Sequence, residues 1–164
     1  STDTLFPEYN DRGASFSLWF RPDNLTPEVK QGILNHDVGT SWVALWVEPE
    51  GIGGSASNFG DHFIGLAEET GNVTGGWHHI VGVLADTADN FTDADTFLLY
   101  YDGQLRSATL TQDSAPTVEP GPWTIGSGVT RLTYLPFVGD LDDIRFYNRA
   151  LSPEEVRILF EHSD

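Results

Sequence analysis

An antiparallel β-sandwich closed by one short C-terminal helix is the fold class predicted by this sequence, on three observations. Apolar residues alternate with period two along one short segment after another. Turn-forming clusters rich in glycine, asparagine and aspartate separate these segments. Only the last segment, "ALSPEEVRILFEHSD", has a helical spacing of apolar residues. Many short strands, frequent turns and a single helix read as two packed sheets.

In chain order, "SFSLWFRP" sets Phe16, Leu18 and Phe20 on one strand face and Trp19 on the other. "GILNHDVG" is a shorter strand ending in a turn. "SWVALWV" follows, with Val43, Leu45 and Val47 on one face and Trp42, Ala44 and Trp46 on the other. Both faces of that strand are therefore apolar. "GIGGSASNFGD" reads as a glycine- and serine-rich loop, "HFIGLAEE" as a strand and "TGNVTGG" as a turn. "WHHIVGVLAD" and "TFLLYYDGQL" are long strands joined by the acidic loop "TADNFTDAD". "GPWTIGSG" and "VGDLDDIRFYN" are the last two strands. The helix start is well specified: Ser152 as N-cap, Pro153 at the first helical position, Glu155 completing a capping box, and Leu151 with Val156 as a hydrophobic staple. Val156, Leu159 and Phe160 form its apolar stripe. No period of 20–50 residues repeats, which excludes a repeat array.

The 164 residues suit one domain, 1–164, with a substantial core. At 39% hydrophobic and 20% charged, the composition is globular. No apolar run reaches the roughly 18–20 residues of a membrane helix, so membrane insertion is not expected. Cysteine is absent, which excludes disulfides and thiolate metal sites. The formal charge of −17 makes nucleic acid and anionic membranes poor partners. It is compatible both with solubility in a salty exterior and with carboxylates converging on a hard cation such as calcium. With no methionine present, Ser1 is not a translation start. The expectation is a processed product, or a module belonging to a larger multidomain chain.

Four stretches in order carry a family resemblance: "SFSLWFRPD", "GGWHHIVGVLAD", "FLLYYDGQL" and "FVGDLDDIRFYNRALSPEEV". From about residue 15 onward the chain resembles the laminin G-like, concanavalin A-like jelly roll, in particular the branch found as accessory modules of bacterial secreted proteins. The last stretch, close to the family's Gly–x–Ile–Asp–Asp–Val–Arg–Ile–Tyr–Asn–Arg–Ala–Leu–Ser ending, is the most specific. "STDTLFPEYNDRG" lacks the family's usual Phe–Asp–Gly opening strand. The resemblance implies an all-β, two-sheet antiparallel jelly-roll sandwich with one short C-terminal helix, a concave face and ligand loops at one rim. It further implies binding of glycans or proteins, often with calcium.

The jelly-roll glucanases carry three acids on one strand. Here Asp140 and Asp142 share a face, but Ile144 and Arg145 stand where the third acid belongs. No nucleophile elbow or zinc-protease motif occurs, and an enzyme is not expected. Through the resemblance, Asp142 is a candidate ligand for structural calcium; the other reading is a local turn at Asp142 and Asp143, or pairing with Arg145 or Arg149. The acidic loop supplies a second candidate in Asp89, Asn90, Asp93 and Asp95, read otherwise as a solvated hairpin tip. Its spacing is not that of a helix–loop–helix calcium site. His79 aligns with a histidine common in the family and is expected to be a hydrogen-bonded core residue. His36 and His62 are unplaced singles.

Sugar rings stack their C–H faces on indole and phenol planes, and nearby polar groups fix orientation. Trp42 and Trp46, with Trp19 and Tyr100, are the candidate platform. Asn58, Phe59, Asp61 and His62 are its candidate rim, and Trp123 is a further candidate exposed indole. The competing reading places these aromatics in the core. The function expected is a non-catalytic, extracellular or cell-surface carbohydrate-binding module stabilised by calcium, within a bacterial adhesin or polysaccharide-degrading enzyme. Its partner would be a glycan or polysaccharide, including that of a cell-surface glycoprotein. The alternative is a protein-interaction or spacer domain without a sugar site.

Overall fold

The computed structural model describes residues 13–25, 29–38, 41–49, 51–58, 62–69, 73–86, 95–110, 121–127 and 134–162. In chain order these form β1 (Ala14–Pro22), β2 (Gln31–Val38), β3 (Ser41–Glu48), β4 (Gly51–Asn58), β5 (His62–Glu69), β6 (His78–Asp86) and β7 (Asp95–Tyr101). They continue through β8 (Gln104–Leu110), β9 (Trp123–Ile125), β10 (Leu135–Pro136) and β11 (Gly139–Tyr147) to α1 (Pro153–Glu161). One sheet has the order β11-β1-β6-β7-β8. The other runs β10-β2-β3-β4-β5, with β9 also paired to β2. All pairings are antiparallel except the two-residue contact of β10 with β2.

Strand parity decides what lies between the sheets. Phe16, Leu18 and Phe20 of β1, Ile80 and Leu84 of β6, and Phe97, Leu99 and Tyr101 of β7 meet Leu34 of β2, Val43, Leu45 and Val47 of β3, and Ile52 of β4. This is the alternation expected of half-buried strands. Trp123 joins this core and is not an exposed indole: its ring lies 4.6 Å from Phe16, 5.2 Å from Phe146 and 4.7 Å from His36.

The glycine-rich stretch expected to be a loop is strand β4, and its neighbours explain why. A Cβ at Gly54 would sit 2.7 Å from the Phe97 ring, and one at Gly53 only 2.1 Å from the Trp46 indole. Glycine has little strand propensity of its own. Here it marks where large rings from each side approach the backbone.

On β11 the register slips opposite the Ser17–Trp19 segment of β1. Asp143, at φ +48°, takes up the extra residue. The bulge lets Leu141, Ile144 and Phe146 all pack against the core while Asp142 stands opposite Trp19.

Helix α1 begins as the sequence specifies. The Ser152 side chain accepts from the Glu155 N–H, and Glu155 caps the Ser152 N–H in return. The Glu155 carboxyl is held down to about 2 by the Arg149 guanidinium and by its bonds to Ser152. Val156 and Leu151 pack with Val81, Val83 and Tyr100, so α1 covers the outer face of the five-stranded sheet. Ser15 ties the entry to the helix, donating to the Arg149 carbonyl and accepting from the Leu151 N–H, both at 2.9 Å.

Candidate functional site

The outer face of the six-stranded sheet carries Trp42, Ala44 and Trp46, which form a small cluster with Tyr134 apart from the main core. Trp46 is 2% exposed, whereas Trp42 and Tyr134 are half-buried. Trp46 lies flat because Gly53 opposite it has no side chain. Tyr134 leans on it at 5.1 Å between ring centroids. Lys30 Nζ sits 4.7 Å from the Trp46 ring centroid and 5.7 Å from that of Tyr134, a cation–π arrangement. Its charge also faces Glu48, at 3.8 Å. Burial, reinforced by the Glu48 charge, pushes the Tyr134 phenol up to about 12, so it stays a neutral donor at any physiological pH.

The cross-strand register adds polar groups to this face. Asn35 and Ser55 flank Ala44 on either side, and Asp37 stands opposite Trp42. Directly paired residues share a face. Asn35 and Ser55 are therefore neighbours of the small Ala44, each roughly 4.8 Å from it across the sheet. Asn35 Oδ1, Ser55 Oγ and Trp46 Nε1 are buried and have no hydrogen-bond partner among the described residues. A buried polar atom left unpaired is costly and requires a structural or functional reason.

Tyr100 does not belong to this platform. It is on β7 of the opposite sheet, 1% exposed beneath α1. Burial raises its phenol above the ordinary range. Trp19 is on that same helix-covered face, stacked on Phe160 at 5.6 Å and tilted against His79 at 5.1 Å. His79 is the core histidine expected: Nε2 lies 2.8 Å from Ser17 Oγ, and its backbone N–H donates to Asp102. Burial lowers its pKa to about 4. A neutral imidazole therefore faces the helix.

The acidic candidates separate. Asp140 pairs with Arg21. Asp142 Oδ1 accepts the Asp143 N–H at 2.8 Å, and Asp143 pairs with Arg145 at 2.7 Å. This is the local-turn arrangement. Among the described residues no three acidic or histidine side chains come together as a metal site. Asp95 pairs with Asp86, at the far end of β6 from His79, whose register neighbour Trp19 pairs in turn with Asp142. Seven residues of strand, roughly 23 Å, lie between the backbone positions of His79 and Asp86. Asp89, Asn90 and Asp93, like Phe59 and Asp61, lie outside the described residues, as does the Asp95 side chain. The backbone pair Asn58–His62 closes the β4–β5 hairpin one position beyond the Ser57–Trp42 pair. This puts the expected rim at the Trp42 end of the sheet; the Asn58 and His62 side chains lie outside the described set.

Sequence reasoning missed Asn35, Asp37, Ser55, Lys30, Glu48 and Tyr134 as members of this face. The parity of "ILNHDV" carried a signal for Asn35 and Asp37 once the partner strand is known. Nothing local to Tyr134 ties it to Trp46.

The family described as the concanavalin A-like lectin/glucanases superfamily, in its Laminin_G_3 branch, matches residues 2–157. No curated protein matches the chain in sequence. Among solved structures, the chain is similar to the CBM40 of a Ruminococcus gnavus IT-sialidase, with TM-score 0.70 and 14% identity over 91% of this chain and 83% of that one. The same domain is known bound to alpha2,3 sialyllactose. The chain is also similar to domain 4 of AbnA, a GH43 extracellular arabinanase from Geobacillus stearothermophilus, in complex with arabinotriose, with TM-score 0.66 and 20% identity over 95% of this chain and 68% of that one. A third likeness is to a heptameric SAP-like pentraxin from Limulus polyphemus, with TM-score 0.65 and 12% identity over 91% and 70%. At these identities the likeness shows the jelly-roll fold.

Proposed function

The chain belongs to the concanavalin A-like lectin/glucanase superfamily, and on that premise we propose that it is a non-catalytic, extracellular glycan-binding module. One observation supports this reading above the others. The outer face of the six-stranded sheet presents two half-buried aromatic rings, Trp42 and Tyr134, above buried polar atoms of Asn35, Ser55 and Trp46 that have no partner among the described residues. Half-buried rings suit stacking against sugar C–H faces. Two of the similar domains are carbohydrate-binding in their own right, one with sialyllactose and one with arabinotriose. The tethering of Asp140 to Arg21 and of Asp143 to Arg145 favours binding over hydrolysis. A glycan array comparing the wild type with Trp42→Ala tests the reading. Binding by the wild type and its loss in the variant, with the melting temperature little changed, supports it. An empty array sinks it.

A protein-interaction or spacer role is the second reading, favoured by the burial of Trp46. Calcium enters the proposal as a stabiliser, with Asp142 and the acidic residues Asp89, Asp93 and Asp95 as its candidate ligands. Chelation is expected to lower the melting temperature, since a ion bound only by the folded state stabilises that state. Asp142→Ala is expected to remove most of the chelator-sensitive part. An unchanged melting temperature in chelator removes calcium from the account.

A further inference from the structure

We propose that Lys30 and Glu48 act together as the hydroxyl-reading pair of this face, taking two adjacent hydroxyl groups of a sugar stacked on Tyr134; the inference rests on the glycan-binding reading. The register sets the two residues side by side. Gln31 pairs with Val47, so one step further along Lys30, just before β2, stands across from Glu48 at the end of β3. Glu48 is two positions on from Trp46 and shares its face. The Lys30 carbonyl accepts the Leu135 N–H at 2.9 Å, which brings Tyr134 alongside. Gly51, opposite Glu48 on β4, adds no side chain from that direction.

The chemistry follows from the distances. Lys30 lies over the Trp46 indole, with Nζ 4.7 Å from the ring centroid. Its head reaches the surface beside that of Glu48, the two side chains being 33% and 26% exposed. Nζ and the Glu48 carboxylate are 3.8 Å apart. That is close enough for the charges to hold each other and too far for a direct hydrogen bond. The ammonium therefore keeps N–H donors, and the carboxylate keeps lone pairs, for a third group placed against both. As an ion pair the two are neutral together, so the pair reads hydroxyl groups rather than net charge. A sugar hydroxyl both accepts and donates. Two hydroxyls on neighbouring ring carbons offer an acceptor to Lys30 and a donor to Glu48 at once, and both bonds are charge-assisted. The ring that carries them rests on the half-buried Tyr134, itself 5.1 Å from Trp46. Covering Trp46 needs only the apolar stem of Lys30; the paired heads at the surface exceed that task.

The test is an array of neutral oligosaccharides, arabinotriose and lactose among them, each printed beside analogues in which one hydroxyl of an adjacent pair is replaced by hydrogen. Calorimetry follows on the tightest parent and its analogues, with wild type, Lys30→Met, Lys30→Arg and Glu48→Ala. Lys30→Met keeps an unbranched stem on the indole and removes the charge and the donors. The expected result is one adjacent pair of hydroxyls whose loss, at either carbon, weakens wild-type binding at least ~10-fold. Lys30→Met and Glu48→Ala should each bind the parent about as weakly as wild type binds an analogue, and each should cease to distinguish the parent from the analogue lacking the hydroxyl it contacts. Lys30→Arg should keep the discrimination. A purely structural role would move the melting temperature and leave the discrimination in place. Since the two positions are on different strands, misfolding of one variant leaves the other as the check. Analogues bound by wild type as tightly as the parent, or discrimination undiminished in a folded Lys30→Met or Glu48→Ala variant, overturn the inference and leave the binding function standing. An array with no binder at all overturns both.

Discussion

The outer faces of the two sheets use the same kinds of residue and are finished differently. Each carries tryptophan, tyrosine and buried unpaired polar atoms: His79 Nδ1, Thr96 Oγ1 and Tyr100 Oη on the five-stranded side, Asn35 Oδ1, Ser55 Oγ and Trp46 Nε1 on the other. On the five-stranded side the chain supplies its own cover. Helix α1 brings Val156 onto Val81 and Val83 and stacks Phe160 on Trp19. On the six-stranded side the described cover is two side chains, Tyr134 and Lys30, and the rings at its edge stay half-exposed. An aromatic strand face thus becomes an interior or a surface according to what the rest of the chain lays on it. Orphaned polar atoms alone do not distinguish the two; their combination with half-exposed rings does.

The sharpest way to break this comparison is within the six-stranded face itself. Trp46→Ala empties a buried seat above Gly53 and is expected to cost about 3–5 kcal/mol in denaturant unfolding. Trp42→Ala, at a half-buried position, is expected to cost well under half of that, while removing glycan binding. Equal stability losses would mean that Trp42 is as structural as Trp46.

The next largest effect is on the helix-covered face and is read with pH. The His79 pKa is lowered to about 4 by burial, against 6.5 when unfolded, so the folded state binds fewer protons between those values. The stability it confers is complete above about pH 6.5 and is lost as pH falls toward 4, by up to about 3 kcal/mol. Urea midpoints of wild type and His79→Gln should converge across that interval. A constant difference between them would show that the imidazole does not titrate on unfolding. The smallest effect is at the helix start: Ser152→Ala removes half the capping box and is expected to cost about 1 kcal/mol. A loss of that size should weaken the cover of the five-stranded face and leave the glycan-binding face unaltered.

Legibility in the sequence followed the range of the interactions concerned. The parity of "SWVALWV", the capping box and the separation of Phe16, Leu18 and Phe20 from Trp19 are local patterns, and all are present as read. The strand at "GIGGSASN" was illegible because its glycines are specified by rings from β3 and β7. Tyr100 had the right chemistry, but which sheet holds it depends on pairings between β6, β7 and β8. Asp142 was legible as belonging to a family motif. Its engagement with Asp143 depends on the β11 bulge opposite β1.

By itself the sequence determined that this chain is a β-sandwich with one capped helix and two apolar faces on its third strand, because alternation and capping act between residues a few positions apart. Only the tertiary structure decided which of those faces is core, that Gly53 seats Trp46, and that Tyr134 and Lys30 close over it. Those outcomes come from strand order and loop return, which bring together residues as far apart as Lys30 and Tyr134 and leave no mark in any local stretch of the chain.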